Sequence, residues 1–122
     1  MKNQAYRMAL LYDFYGDVLT DRQKEFYDLY YNEDLSLSEI AENYGISRQG
    51  VRDVIVRAEA TLTELEDKTG IIRRFHVMRD QITELQDDVA AIARRNDEKY
   101  GDREIQLLTD KLIAVLDRLK QE

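Results

Sequence analysis

A chain of 122 residues with 18 Lys plus Arg, 25 Asp plus Glu, one His and no Cys, Pro or Trp excludes much chemistry before any pattern is read. Without cysteine there can be no disulfide framework, thiolate zinc site, iron-sulfur cluster or cysteine nucleophile, and the length suits one modest domain, or a domain with an appendage. The net charge of −7 favours solubility and disfavours indiscriminate adhesion to nucleic acid or an anionic membrane.

The amino end, Met1 to Arg7, leads into an amphipathic stretch without the apolar run and cleavage site of a signal peptide. No apolar run approaches the roughly 20 residues of a membrane span. A soluble, cytoplasmic protein without membrane contact is therefore expected. With 43% hydrophobic and 35% charged residues the chain is too apolar for disorder. Apolar residues recur at three- and four-residue steps with no sustained alternation, which predicts an all-α fold.

A first helix over about Gln4 to Val18 places Ala5, Met8, Tyr12, Tyr15 and Leu19 on one stripe, widened by Leu11, Phe14 and Val18. Thr20 and Gln23 have the spacing of a capping box, so a second helix begins at Asp21, turns Phe26, Leu29 and Tyr30 inward, and ends at Asn32-Glu33-Asp34. Ser36 and Glu39 repeat the signal for a short third helix through Asn43, broken by Gly45. Ser47 caps a fourth helix with the stripe Val51, Ile55, Ala58, Leu62 and Leu65, reaching Lys68 or Thr69 before Gly70.

From Ile71 a fifth helix carries Phe75, Met78, Ile82, Leu85, Val89 and Ile92 at heptad steps. Asn96 to Asp102 predicts a loop. The sixth helix repeats the heptad rule with Ile105, Leu108, Leu112, Val115 and Leu119. Two such helices form an antiparallel hairpin or pair across a dimer.

Residues 36 to 56 combine a short helix, a glycine turn and a longer capped helix, the spacing of a helix-turn-helix. Ala41 is small where the helices cross, Gly45 supplies the positive φ of a tight turn, and Ile40, Ile46, Val51 and Val54 or Ile55 fill the wedge. The exposed side of the second helix begins with Ser47, Arg48 and Gln49 and continues through Arg52, Asp53, Val56 and Arg57. Arg and Gln suit bidentate contacts to base edges, so Arg48, Gln49 and Arg52 are the candidate base readers, with Ser47 and Arg57 nearer phosphate. This local +2 patch sits within residues 1 to 69, which carry 8 basic and 14 acidic groups. Weak, strongly salt-dependent binding is expected of one copy, and a dimer presenting two patches would do better.

Tyr12, Tyr15, Tyr27, Tyr30 and Tyr31 either face outward, to stack on RNA bases or anchor a partner, or form core with hydroxyls at its rim. Arg73, Arg74, His76 and Arg79 form a basic cluster that either contacts phosphate of RNA or DNA or an acidic protein surface, or is a solvated face paired with Asp80 and Glu84. His76 and Asp80 do not complete a metal site, the acidic groups lack calcium-loop spacing, and no phosphate loop, nucleophile elbow or paired-acid arrangement is present. Neither a cofactor nor an enzymatic activity is expected.

The stretches Asp13-Phe14-Tyr15, Leu19-Thr20-Asp21-Arg22-Gln23, Leu29-Tyr30-Tyr31, Glu33-Asp34, Leu37-Ser38-Glu39-Ile40-Ala41 and Ile46-Ser47-Arg48-Gln49, with Val51, Asp53, Arg57 and Glu59, resemble the YlxM family of helix-turn-helix proteins. The resemblance covers roughly residues 5 to 95. More distantly the core is similar to the promoter-binding fourth region of sigma factors, a winged-helix-like arrangement without the wing, through its Leu-Thr opening and Ile-Ser-Arg turn. The YlxM resemblance implies a small cytoplasmic bacterial protein whose family is encoded beside components of the signal recognition particle and is thought to act in, or regulate, that pathway. Gly50 stands where the family usually has Ala, at a cost of about 0.5 to 1 kcal/mol of helix stability.

The expected organisation is a helix-turn-helix domain over 1 to 69 and a helical hairpin over 70 to 122 that supports homodimerisation. The expected partners are the RNA or the GTPase of the signal recognition particle, or, in the alternative, DNA read by sequence as a transcriptional regulator. Ser47, Arg48, Gln49, Arg52, Arg57, Arg73 and Arg74 are the candidate nucleic-acid contacts. A third possibility is an interaction scaffold with no nucleic-acid partner.

Overall fold

The computed structural model describes residues 5–121, and every regular element among them is helical: α1 (Ala5–Tyr15), α2 (Asp21–Tyr31), α3 (Leu37–Tyr44), α4 (Arg48–Thr69), α5 (Ile71–Arg95) and α6 (Arg103–Gln121). The expected start of the first helix at Gln4 lies outside the described residues. The chain divides into two compact units, 1–72 and 73–122.

In the first unit the helix ends follow local chemistry. Thr20 Oγ1 accepts from the Gln23 amide at 3.2 Å while Gln23 Oε1 accepts from the Thr20 amide at 3.0 Å. Ser36 and Glu39 make the same reciprocal pair at 3.0 and 3.1 Å, so both predicted capping boxes are present. Gly45 and Gly70 stop α3 and α4 in the left-handed region, at φ 66° and 62°, where a Cβ would be strained.

The first helix differs from expectation. Its α-helical part ends at Tyr15, and Gly16–Val18 tighten into a 3-10 turn. The shorter turn carries Val18 off the apolar stripe and leaves it 59% exposed.

The 22-residue α4 serves two adjoining cores. Its first half packs Val51 and Ile55 against Phe26 and Tyr30 of α2 and Leu37, Ile40 and Ala41 of α3. Its second half packs Ala58 and Leu62 against Met8, Leu11 and Tyr15 of α1, together with Leu19, Tyr27 and Ile72. Tyrosines bind these layers together. Tyr27 stacks on Tyr12 at 5.3 Å between ring centroids and donates its hydroxyl to the Met8 carbonyl at 2.6 Å. Tyr31 donates to Glu59, and Tyr15 donates to Glu66 Oε1 at 2.7 Å with Thr69 Oγ1 at 2.6 Å. Burial, reinforced by the nearby Glu59 carboxylate, pushes the Tyr27 and Tyr31 phenols well above the ordinary tyrosine value. Of the two alternatives for the tyrosine cluster, the structure shows core.

The second unit is an antiparallel hairpin of α5 and α6. Ile82 and Val89 of α5 bury against Leu116 of α6, flanked by Ile113. Gln86 ties the helices together, donating to Asp117 Oδ1 at 2.8 Å and accepting from Lys120 Nζ at 3.3 Å. On α6 Thr109 and Leu116 are buried and Ile113, Val115 and Lys120 half-buried. This corrects the expected stripe in part: Val115 is half-buried, but Leu108, Leu112 and Leu119 are about half exposed. A polar residue can occupy the inner row because the Thr109 hydroxyl is satisfied by the carbonyls of Ile105 and Gln106, both at 3.0 Å. On α5 the expected stripe divides, with Ile82 and Val89 buried and Met78, Leu85 and Ile92 exposed.

The expected loop between these helices is an ordered turn. Asn96 to Tyr100 widen into a π-helical turn closed by Gly101 at φ 59°. Asn96 is buried, and its side chain donates to the Asp102 carbonyl at 2.9 Å and accepts the Asp102 amide at 3.0 Å. Asp102 Oδ1 then accepts the amides of Glu104 and Ile105 and starts α6.

Candidate nucleic-acid interface

The helix-turn-helix consists of α3, the turn at Gly45 and Ile46, and the first half of α4. The Gly45 and Ile46 amides both return to the Ala41 carbonyl, the latter at 3.2 Å, which closes the turn. Ile40 and Val51 are fully buried between the helices, with Ile46 and Val54 packed at the edge, so the predicted wedge is filled by the predicted residues. Tyr44 extends it, setting its ring edge-on to Phe26 at 4.9 Å and donating its hydroxyl to Glu25.

Locking Val51 and Ile55 inward fixes what α4 presents outward. Arg48, Gln49, Arg52, Asp53, Val56 and Arg57 are all exposed, so three guanidinium groups and one amide share the solvent side of the first three turns. Ser47 is already engaged: its hydroxyl accepts the Gly50 amide at 3.0 Å and caps α4. Gln49 is also engaged, donating to Asp53 Oδ1 at 2.9 Å across one turn. That bond orients the Gln49 amide and brings a carboxylate into the basic surface, a pairing that i, i+4 spacing made available but that counting charges did not reveal.

A Cβ at Gly50 would lie 3.1 Å from Ser47 Oγ, so a side chain here presses on the cap of the helix. The helix-propensity gain expected of Ala is realised only where the Ser47 hydroxyl gives way by a few tenths of an ångström.

Five of the seven predicted site residues, Ser47, Arg48, Gln49, Arg52 and Arg57, therefore lie together at the start of α4 in the first unit. Arg73 and Arg74 are exposed on α5 in the second unit. Arg79 of the same cluster lies over the Phe75 ring at 5.7 Å, a cation–π contact that sequence spacing alone did not identify. Among the described residues no group of three or more His, Asp or Glu side chains could hold a metal ion, and no helix is long and apolar enough to cross a membrane.

A capped second helix, raised on a filled wedge and presenting Arg and Gln to solvent, defines a helix-turn-helix protein. The family model described as "Putative helix-turn-helix protein, YlxM / p13 like" matches residues 2–102, and the chain belongs to that family. Relatives named as UPF0122 proteins are similar along much of the same region. The one from Desulforamulus reducens is 53% identical over 70 residues, covering 57% of this chain and 60% of its own length. That from Acetivibrio thermocellus is 47% identical over 90 residues, 74% of this chain and 77% of the relative. The Geobacillus kaustophilus protein is 42% identical over 108 residues, 80% of this chain and 98% of its own.

Proposed function

We propose that this chain is a cytoplasmic, non-enzymatic regulatory protein that binds nucleic acid through the first half of α4 and takes part in the signal recognition particle pathway, engaging the particle's RNA or its GTPase. The observation that carries the binding role is the row of Arg48, Gln49, Arg52 and Arg57 on the exposed side of a helix fixed by its wedge. The pathway comes from the family resemblance. With net charge −7 the protein gains little from bulk attraction to phosphate, so binding depends on the local patch and is selective. Acting as a homodimer, it presents the patch twice and neutralises more phosphates.

A second reading, a sequence-specific DNA-binding transcriptional regulator, is favoured by the identity of the exposed groups. Arg48 and Arg52 lie one turn apart, as side chains reading neighbouring base edges in a major groove must. Capture of bound nucleic acid from a cellular extract at two salt concentrations tests both. Recovery of the particle's RNA supports the first reading, recovery of discrete duplex sites supports the second, and recovery of neither, with no co-migration with the GTPase at low salt, overturns both.

A further inference from the structure

We infer that the α5–α6 hairpin docks face to face on the same hairpin of a second copy, through Met78, Leu85 and Ile92 of α5 and Leu108, Leu112 and Leu119 of α6. This placement rests on the homodimer reading above, and on no nucleic-acid partner.

The six side chains lie between 48% and 54% exposed, although each falls in a heptad row of the kind that packs one helix on another. The inner rows account for the hairpin's own contact, and the exposed set is a second pair of rows beside them. Helical spacing turns both exposed rows to one side of the hairpin. Two grooves draw on both helices there, one lined by Met78, Leu85 and Leu119 and the other by Ile92 and Ile105.

Three observations select a second copy as the occupant. The hairpin's own core holds only Ile82, Val89 and Leu116 as buried apolar side chains among the described residues, too few for a unit of this size to be stable without further burial. At about 100 Å2 for each half-exposed side chain the face offers roughly 600 Å2 per copy, so that two copies bury at most about 1,200 Å2, the lower edge of the range for a specific protein interface. The segment is nearly balanced in charge, with 10 basic and 11 acidic groups over residues 70 to 122, so a copy meets itself there without the repulsion expected of the net −6 over residues 1 to 69. Two hairpins joined by these faces make a four-helix bundle.

Sedimentation of the full chain at about 10 µM, with Leu112→Glu and Leu107→Glu alongside, tests the proposal. Leu107 is 55% exposed but stands roughly 100° from Leu108 and 140° from Leu112 around α6, so it is the control. The wild type and Leu107→Glu are expected to sediment as dimers, and Leu112→Glu as a monomer of unchanged helix content, its self-affinity lowered roughly 100-fold. If Leu112→Glu loses helix content, Met78→Glu supplies the same readout from α5. A monomeric wild type overturns both the dimer and its surface. A dimer that withstands Leu112→Glu, or that Leu107→Glu breaks equally, leaves the dimer standing and overturns this surface.

Discussion

The first unit puts most of its large apolar side chains out of water, while the second leaves the six of its proposed docking face, and others such as Val77 and Leu107, half exposed. All seven of the largest fully buried side chains, Phe26 and Tyr27 foremost, lie in the first unit, where α1, α2 and α3 close around α4 and the tyrosine hydroxyls find carbonyl or carboxylate partners. In the second, two helices share one narrow seam with a threonine and a glutamine inside it. Two helices can cover only one stripe each, so a hairpin rich in Leu and Ile keeps a face in reserve, whereas a helix held on several sides keeps only its polar side exposed. The same physics therefore yields a polar, basic presenting surface on α4 and an apolar one on α5 and α6.

Core truncation should separate the units most strongly. Phe26→Ala, at a site with no exposure, is expected to cost about 3–5 kcal/mol in urea unfolding, whereas Leu85→Ala, half exposed, costs under about 1 kcal/mol when measured in a monomeric background. Equal losses would break the contrast. Alkaline pH gives the next largest difference. Unfolded tyrosine titrates near pH 10, and the folded Tyr27 and Tyr31 hold their protons to higher pH. Their contribution is complete below pH 10 and is lost as pH rises through the folded values, at up to about 1.4 kcal/mol per pH unit for each phenol. Near-ultraviolet spectra followed from pH 9 to 12 should show the first unit losing structure, and Tyr27→Phe should reduce the slope. The smallest effect sharpens the second unit: Asn96→Ala removes both bonds to the Asp102 backbone and is expected to cost about 1–2 kcal/mol, read as faster amide exchange confined to the α5–α6 turn.

Most of the first unit was legible in the sequence because its signals are local. A hydroxyl three residues before a glutamine or glutamate marks a capping box at Thr20 and Ser36, and Gly45 and Gly70 mark stops, whatever the rest of the chain does. The wedge at Ile40, Ile46 and Val51 followed from those boundaries, and so did the exposed side of α4. The seam of the hairpin was legible only in period. A run such as Met78-Ile82-Leu85-Val89-Ile92 contains two rows roughly 60° apart, and apolarity does not say which one meets the partner helix. Thr109 and Asn96 were missed because each is polar, and its burial depends on backbone bonds that apolar patterning does not register: Thr109 to carbonyls of its own helix, Asn96 to Asp102 across the turn. In the same way, the Gln49–Asp53 bond modifies a surface whose position was foreseen but whose charge was only counted.

We propose the start of α4 as the nucleic-acid-binding surface. Its most direct test is fluorescence anisotropy of the nucleic acid recovered from extract, titrated across a salt series with the wild type, Arg52→Ala and Arg57→Ala. The expected result is binding that weakens steeply with salt, discrimination between recovered and random sequences that Arg52→Ala reduces, and an even loss of affinity with a salt slope lower by about 1 for Arg57→Ala. Absence of binding at low salt, or affinities for both variants indistinguishable from the wild type, would contradict it.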